Sequence, residues 1–152
     1  MQHDRDRSSE RPEVANVAGP VMEQMLTATD GSEASMKALE FAVDLAGWKG
    51  ATLTLVHVVP SDRVRDDEVY WDDADQEILS QAGELARERG VEAKCVMCSG
   101  NPAEAIAKLA DEVDADLVVL GSRGRGRVAG TLLGSVSRGV LDRAHRPVLV
   151  VQ

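Results

Sequence analysis

From residue 22 onward the chain alternates between two hydrophobic periods. Apolar runs of strand length occupy residues 22–29, 51–59, 91–97, 116–121 and 147–151. Between them lie segments with helical spacing at 32–47, 72–90, 102–113 and 135–144. Five strands separated by four helices predict a single α/β domain built on an open parallel sheet with helices on both faces. In the first helical segment Met36, Leu39, Val43 and Ala46 recur at three- and four-residue steps and form one apolar face. The runs Leu117-Val118-Val119-Leu120 and Val148-Leu149-Val150-Val151 have no polar interruption, as strands covered on both faces require. In the first strand Gln24, Thr27 and Thr29 interrupt the apolar run.

The ends of the elements are marked as well. Asn101-Pro102-Ala103-Glu104 supplies an N-cap, a proline at the first helical position and a carboxylate three residues after the cap. Asp30-x-x-Glu33 has the same capping spacing, so Asp30 is both a candidate cap and a candidate ligand group. Gly139 inside the last helix costs about 1 kcal/mol relative to alanine and calls for a close-packing reason. Residues 1–20 mix Asp, Glu, Arg, Ser and Pro without an apolar period and read as a tail, leaving 21–152 for the folded domain. The connection after the second strand is longer than such loops usually are. From Ser61 to Glu77 it carries eight acids, two arginines, Tyr70 and Trp71, and reads as a solvated flap, with a lid or partner contact as the alternative.

Composition narrows the function. With 152 residues, 43% hydrophobic and 28% charged, the chain is an ordinary globular domain. No apolar run approaches the roughly 20 residues of a membrane span, and the first 20 residues lack a signal-peptide core, so cytoplasm is the expected compartment. A net charge of -9 argues against nucleic acid and anionic membranes as partners. Against that background, residues 121–146 hold six arginines and one acid, Asp142. An anion belongs there. Cys95 and Cys98 form a CxxC on a strand, where residues three apart face opposite sides, which speaks against zinc or dithiol chemistry. His57, within an apolar strand, reads as a hydrogen-bonded core histidine.

In open α/β sheets ligands bind beyond the carboxyl ends of the strands, where strand order reverses. The turn after the first strand is Thr29-Asp30-Gly31-Ser32, and the turn after the fourth is a glycine-rich stretch from Gly121 to Ser135 containing Arg123, Arg125 and Arg127. Glycines let backbone amides approach a phosphate, and the following helix start at Gly134, Ser135, Val136 and Ser137 offers amides and hydroxyls to an anion. Two near matches fail on context. Gly121 and Gly126 have Walker A spacing, but Arg127-Val128 stand where Lys and Ser or Thr are needed. Gly124-Arg125-Gly126 begins a dinucleotide fingerprint, but no strand ending in an acid follows.

Gly121, Gly124, Gly134 and Ser135 realise the longer pattern Gly-x2-Gly-x9-Gly-Ser, which resembles the ATP-binding branch of the universal stress protein family. Thr29-Asp30-Gly31-Ser32, Leu55-Val56-His57-Val58, Ala115-Asp116-Leu117-Val118-Val119-Leu120-Gly121 and Pro147-Val148-Leu149-Val150-Val151 are similar to further blocks of that family. The resemblance implies an adenine nucleotide alpha-hydrolase-like sheet in order 3-2-1-4-5, binding one ATP per subunit together with Mg or Mn. It implies that Ala28, Thr29, Asp30 and Val58 surround adenine and ribose. Gly121, Arg123 and Gly124 would follow the ribose and first phosphates, with Gly134, Ser135, Val136 and Ser137 at the outer phosphates.

The expected function is therefore an ATP-binding stress-response regulator or sensor with at most slow hydrolysis, because no base for phosphoryl transfer is evident beyond Asp30. A nucleotide hydrolase or nucleotidyl transferase is one alternative. A dimeric interaction module without nucleotide is the other. The closing strand 147–151 would be an exposed apolar edge, which predicts a homodimer through that strand.

Overall fold

The computed structural model describes residues 18–124 and 132–152. Most of the predicted tail, residues 1–17, and the loop positions Arg125, Gly126, Arg127, Val128, Ala129, Gly130 and Thr131 lie outside the described residues. The elements are β1 (Gln24–Ala28), α1 (Glu33–Lys49), β2 (Thr52–Val59), β3 (Val64–Arg65), β4 (Glu68–Val69), α2 (Asp73–Glu88), β5 (Ala93–Ser99), α3 (Pro102–Glu112), β6 (Leu117–Gly121), α4 (Ser135–Arg143) and β7 (Val148–Val151).

The main sheet has the order β5-β2-β1-β6-β7, and every neighbouring pair is parallel. Counting only its five strands, this is the order 3-2-1-4-5. Successive residues of the buried strands serve opposite faces. Met25, Leu53, Leu55 and Val119 join α1 and α2 in one core layer, with Leu39, Val43 and Ala82. Leu26, Val56 and Val118 join α3 and α4 in the other, with Ile106 and Val140. This is why these strands carry unbroken apolar runs.

The polar residues of β1 fit the buried strand because their groups are satisfied. Thr27 is fully buried, and its hydroxyl donates to the Val119 carbonyl at 2.8 Å. The Asp116 carboxylate accepts from the amides of Glu23 and Gln24 at 2.8 and 3.0 Å, pinning the start of β1 to the start of β6. Gly139 of α4 faces α3: a Cβ there would lie 2.6 Å from Ala103 Cβ, so its absence sets how closely the two helices approach.

Two local expectations change. The N-cap of α1 is Ser32, whose hydroxyl accepts from the Ser35 amide at 3.2 Å. Asp30 instead accepts from the Ser32 amide at 2.9 Å, closing a turn one step earlier, where Gly31 adopts φ 79°. A capping role for Asp30 is thus set aside. The segment read as a solvated flap contains a short 3-10 turn (Ser61–Arg63) and the β3–β4 hairpin, with Asp66 and Asp67 at φ 52° and 62° forming its two-residue turn.

Candidate functional site

Strands β2 and β5 extend from one side of β1, whereas β6 and β7 lie on the other. The winding reverses between β1 and β6, so their carboxyl ends part and leave a crevice. It is a cleft open to solvent, lined by the ends of β1, β2 and β6 and the starts of α1, α3 and α4. Ala28, Thr29, Asp30, Val58, Gly121, Arg123, Gly124, Val136 and Ser137 all line it. Segments more than a hundred positions apart in the chain therefore converge on one crevice.

Gly134 and Ser135 do not line the cleft. Gly134 is the N-cap of α4, and its amide donates to the Ser122 carbonyl, so it is not an open donor as the sequence reading supposed. The reason is contact between the two ends of the glycine-rich stretch: a Cβ on Gly134 would stand 3.2 Å from Arg123 Cα. Ser135 is exposed at the first position of α4. The Ser137 hydroxyl, buried, lies 3.1 Å from the carbonyls of both Ser122 and Gly134, to which it donates, and fastens the same junction. The amides of residues 135–137 remain without intrahelical acceptors, as in any first helical turn.

On this side two glycines bring bare backbone to the cleft between the side chains of Leu120, Arg123 and Val136. A Cβ on Gly121 would lie 2.7 Å from both the carbonyl carbon and oxygen of Ala34. A Cβ on Gly124 would lie 2.8 Å from Asp30 Oδ2, so the Asp30 carboxylate rests against the glycine backbone across the cleft.

The opposite wall is a network of side chains. The His57 ring is buried at the end of β2, with Nδ1 2.8 Å from the Thr29 carbonyl oxygen and Nε2 2.8 Å from Asp75 Oδ1. Asp75 is buried at the third position of α2, in a reciprocal capping box with Asp72, and Arg63 donates to its second oxygen. Burial pushes the Asp75 carboxyl up. Hydrogen bonds from His57 and Asp72 and the Arg63 charge outweigh it, so the group sits below its ordinary range. The Thr29 and Ser35 hydroxyls lie 3.4 Å apart beside this network.

Sequence reasoning did not place Ser35, Pro102, Ile106 or Leu120 at the site, and it assigned His57 to the core alone. Pro102 and Ile106 were within reach of the same rule that found the other turns. A helix following a parallel strand begins at the carboxyl edge of the sheet, and its first turn faces the crevice. Asp75 and Arg63 carry no such signal; they are one acid among eight and one arginine of two in their segment.

Cys95 and Cys98 lie on β5, with Cys95 exposed and Cys98 packed against the α3 layer, and burial pushes both thiols up. Among the described residues no group of three or more His, Cys, Asp or Glu could hold a metal ion. Nor is any described helix long and apolar enough to cross a membrane.

An open parallel sheet with a largely apolar crevice at its winding reversal, rimmed by glycine backbone, defines a small-ligand-binding α/β protein. The chain belongs to the universal stress protein family, whose model matches residues 22–152. Universal stress protein YxiE of Bacillus subtilis (strain 168) is 37% identical over 148 positions, covering 85% of this chain and 98% of that one. A solved universal stress protein in complex with cAMP superposes with a TM-score of 0.72 at 31% identity, covering 88% of this chain and 99% of the other. The universal stress protein from Archaeoglobus fulgidus in complex with dAMP has a TM-score of 0.67 at 26% identity, covering 88% and 100%.

Proposed function

We propose that this chain binds an adenine nucleotide, ATP with Mg or Mn, in the cleft and acts as a nucleotide-dependent stress-response regulator or sensor with at most slow hydrolysis. The observation that carries the reading is the pairing of two surfaces in one crevice. Ala28, Val58, Pro102, Ile106, Leu120 and Val136 offer an apolar slot of the kind that takes a purine, and Gly121 and Gly124 offer close backbone approach beside it. The cAMP and dAMP complexes of related proteins support the ligand class.

In this reading Ala28 and Val58 flank the base and Thr29 and Asp30 meet the ribose. Asp30 is an acceptor, suited to ribose hydroxyls and ill suited to a phosphate. Gly121, Arg123 and Gly124 follow the ribose and first phosphates, and the first turn of α4, from Ser135 to Ser137 behind Gly134, presents amides to the outer ones. With no metal-holding group of three or more His, Cys, Asp or Glu among the described residues, the divalent ion would be held by phosphate oxygens and water, as magnesium commonly is. The two unpaired cysteines favour a reducing cytoplasm.

The assembly belongs to the same proposal. β7 ends the sheet among the described residues, and Val148, Leu149, Val150 and Val151 are each only half-buried on that edge. Antiparallel pairing with a second copy covers that edge and closes the contact by two-fold symmetry. A monomer in sedimentation at micromolar concentration would contradict it.

Heating the purified protein and identifying the released nucleotide by mass tests the ligand. Calorimetry with ATP and magnesium gives the affinity. No heat at millimolar ATP would end this reading. Phosphate or pyrophosphate release at catalytic rates would instead favour the enzyme.

A further inference from the structure

The sheet has two edges, and the one formed by β5 lies far from the β7 edge. Among the described residues no strand pairs with the outer side of β5. On its inner side the Leu53 amide donates to the Glu92 carbonyl and the Gly100 amide to the Val59 carbonyl, at 2.9 and 3.0 Å. In a parallel strand the amide and carbonyl of one residue point the same way and successive residues alternate, so Lys94, Val96 and Cys98 turn their main chain to β2. Ala93, Cys95 and Met97 therefore turn theirs outward.

Beside this edge lies a groove lined by Trp71, Gln76, Leu79, Ser80, Cys95 and Met97. Where α2 crosses Cys95 it carries Gly83, and a Cβ there would lie 3.1 Å from Cys95 Sγ. Trp71 is half exposed at the upper end. Cys95 and Met97 thus serve twice, with side chains in the groove and main chain facing outward. A segment that extends the sheet along β5 places every second side chain on the α2 face, where the groove is. Main-chain bonds along such an edge give affinity, and a pocket for alternate side chains gives selectivity.

The surroundings of the groove are acidic. Ten acids and three arginines lie between Ser61 and Glu88, so this stretch holds most of the chain's net charge of -9. Asp73, Glu77 and Glu84 are exposed on the solvent side of Gln76 and Ser80 around α2, and Asp72 caps the helix next to Trp71. Arg63 is held by Asp72 and Asp75, and Arg87 by Glu84. Lys94 shares the face of Val96 and Cys98, away from the groove.

We propose that the outer edge of β5 and this groove form a docking site for an extended, basic segment of a partner protein. One large apolar side chain of the segment enters the groove, and a lysine or arginine two positions to either side meets the α2 carboxylates. A second copy of the chain fits poorly. Antiparallel pairing of two β5 edges sets two α2 helices side by side on one face of the joined sheet, acids against acids. None of the six groove residues lines the nucleotide cleft, so the site does not depend on the nucleotide reading.

The test uses the full chain in a Trp48→Phe background, so that fluorescence reports Trp71, and the end-blocked peptide Thr-Lys-Thr-Leu-Thr-Lys-Thr. A saturable change in Trp71 emission is expected, with amide NMR shifts larger at Cys95 and Met97 than at Lys94 and Val96. Methylating the peptide nitrogens that face β5 should weaken binding at least about tenfold, as should replacing the leucine with alanine or both lysines with glutamate. Cys95→Pro removes an outward donor while leaving the ladder to β2 intact, and should cost a similar factor. Should Cys95→Pro fail to fold, the methylated peptide puts the same question to the unaltered chain. No change in Trp71 or in the edge amides at millimolar peptide overturns the proposal, and so does equal binding of the methylated or the glutamate peptide. Sedimentation in which Cys95→Pro lowers the assembly mass of the peptide-free chain assigns the edge to a second copy and overturns it as well.

Discussion

The two walls of the cleft are made of different materials. At the ends of β1 and β2, side chains hold one another: His57 between the Thr29 carbonyl and Asp75, Asp75 against Arg63, Thr29 beside Ser35. At the end of β6, among the side chains of Leu120, Arg123 and Val136, glycine backbone approaches its neighbours closely, with Gly121 against the Ala34 main chain and Gly124 against the Asp30 carboxylate. A wall of paired charges responds to protons and to neighbouring charge. Where Gly121 meets Ala34 little change is admitted, because a side chain added there meets main chain that cannot rotate away.

The largest effect is expected on the charged wall. Asp75→Ala leaves the buried His57 ring and Arg63 without their shared partner, and should cost about 3 kcal/mol of stability by chemical denaturation. Loss below about 1 kcal/mol would mean that the network adds little. The pH dependence has a defined sign. Because the Asp75 carboxyl is held below its ordinary range, its contribution is complete above that range and disappears as pH falls through the folded-state value.

Next comes the glycine wall. Gly124→Val should lower ATP affinity by about a hundredfold, roughly 2.7 kcal/mol, while the fold survives. The nearest atom to the new Cβ is the end of the movable Asp30 side chain. Unchanged affinity with the fold intact would refute the assignment of this loop to phosphates. Gly121→Ala tests the same wall through stability, since its Cβ meets Ala34 main chain at 2.7 Å. About 2 kcal/mol of destabilisation is expected, and a neutral result in thermal unfolding would show that α1 shifts freely.

The smallest effect lies at the opposite end of β1, away from both walls. Asp116→Asn removes the charge from an acceptor of two backbone amides and should cost about 1 kcal/mol near neutral pH. Backbone hydrogen bonds from Gln24 and Glu23 hold that carboxyl below its usual range. The difference between wild type and variant should therefore fade in acid, as the wild-type carboxylate takes up its proton. A gap that persists unchanged in acid would point to packing instead.

Much of this molecule is legible in one dimension. The alternation of strand and helix periods predicts all five strands of the main sheet and all four helices, with boundaries shifted by at most two residues, as for α1, which runs on to Lys49 and stops at Gly50 in a left-handed conformation. Asn101 is the cap it resembles, accepting from the Glu104 amide at 3.1 Å, while the Glu104 carboxylate reaches Arg143 of α4 at 3.9 Å. Asp30 shows the limit of such signals. Its spacing to Glu33 satisfies a capping pattern, yet Ser32 is nearer the helix and Gly31 turns the chain between them.

The sequence by itself determined the class of sheet and the two turns that flank the cleft, because hydrophobic period, caps and glycine spacing are properties of neighbours along the chain. Only the tertiary structure decided that Gly139 exists for Ala103, that the Gly134 amide and the Ser137 hydroxyl are spent on Ser122, and that His57 joins Asp75 and Arg63. Each of those contacts depends on which atoms of separate elements come within about 3 Å once the sheet has twisted and the helices have packed, and no local pattern encodes that distance.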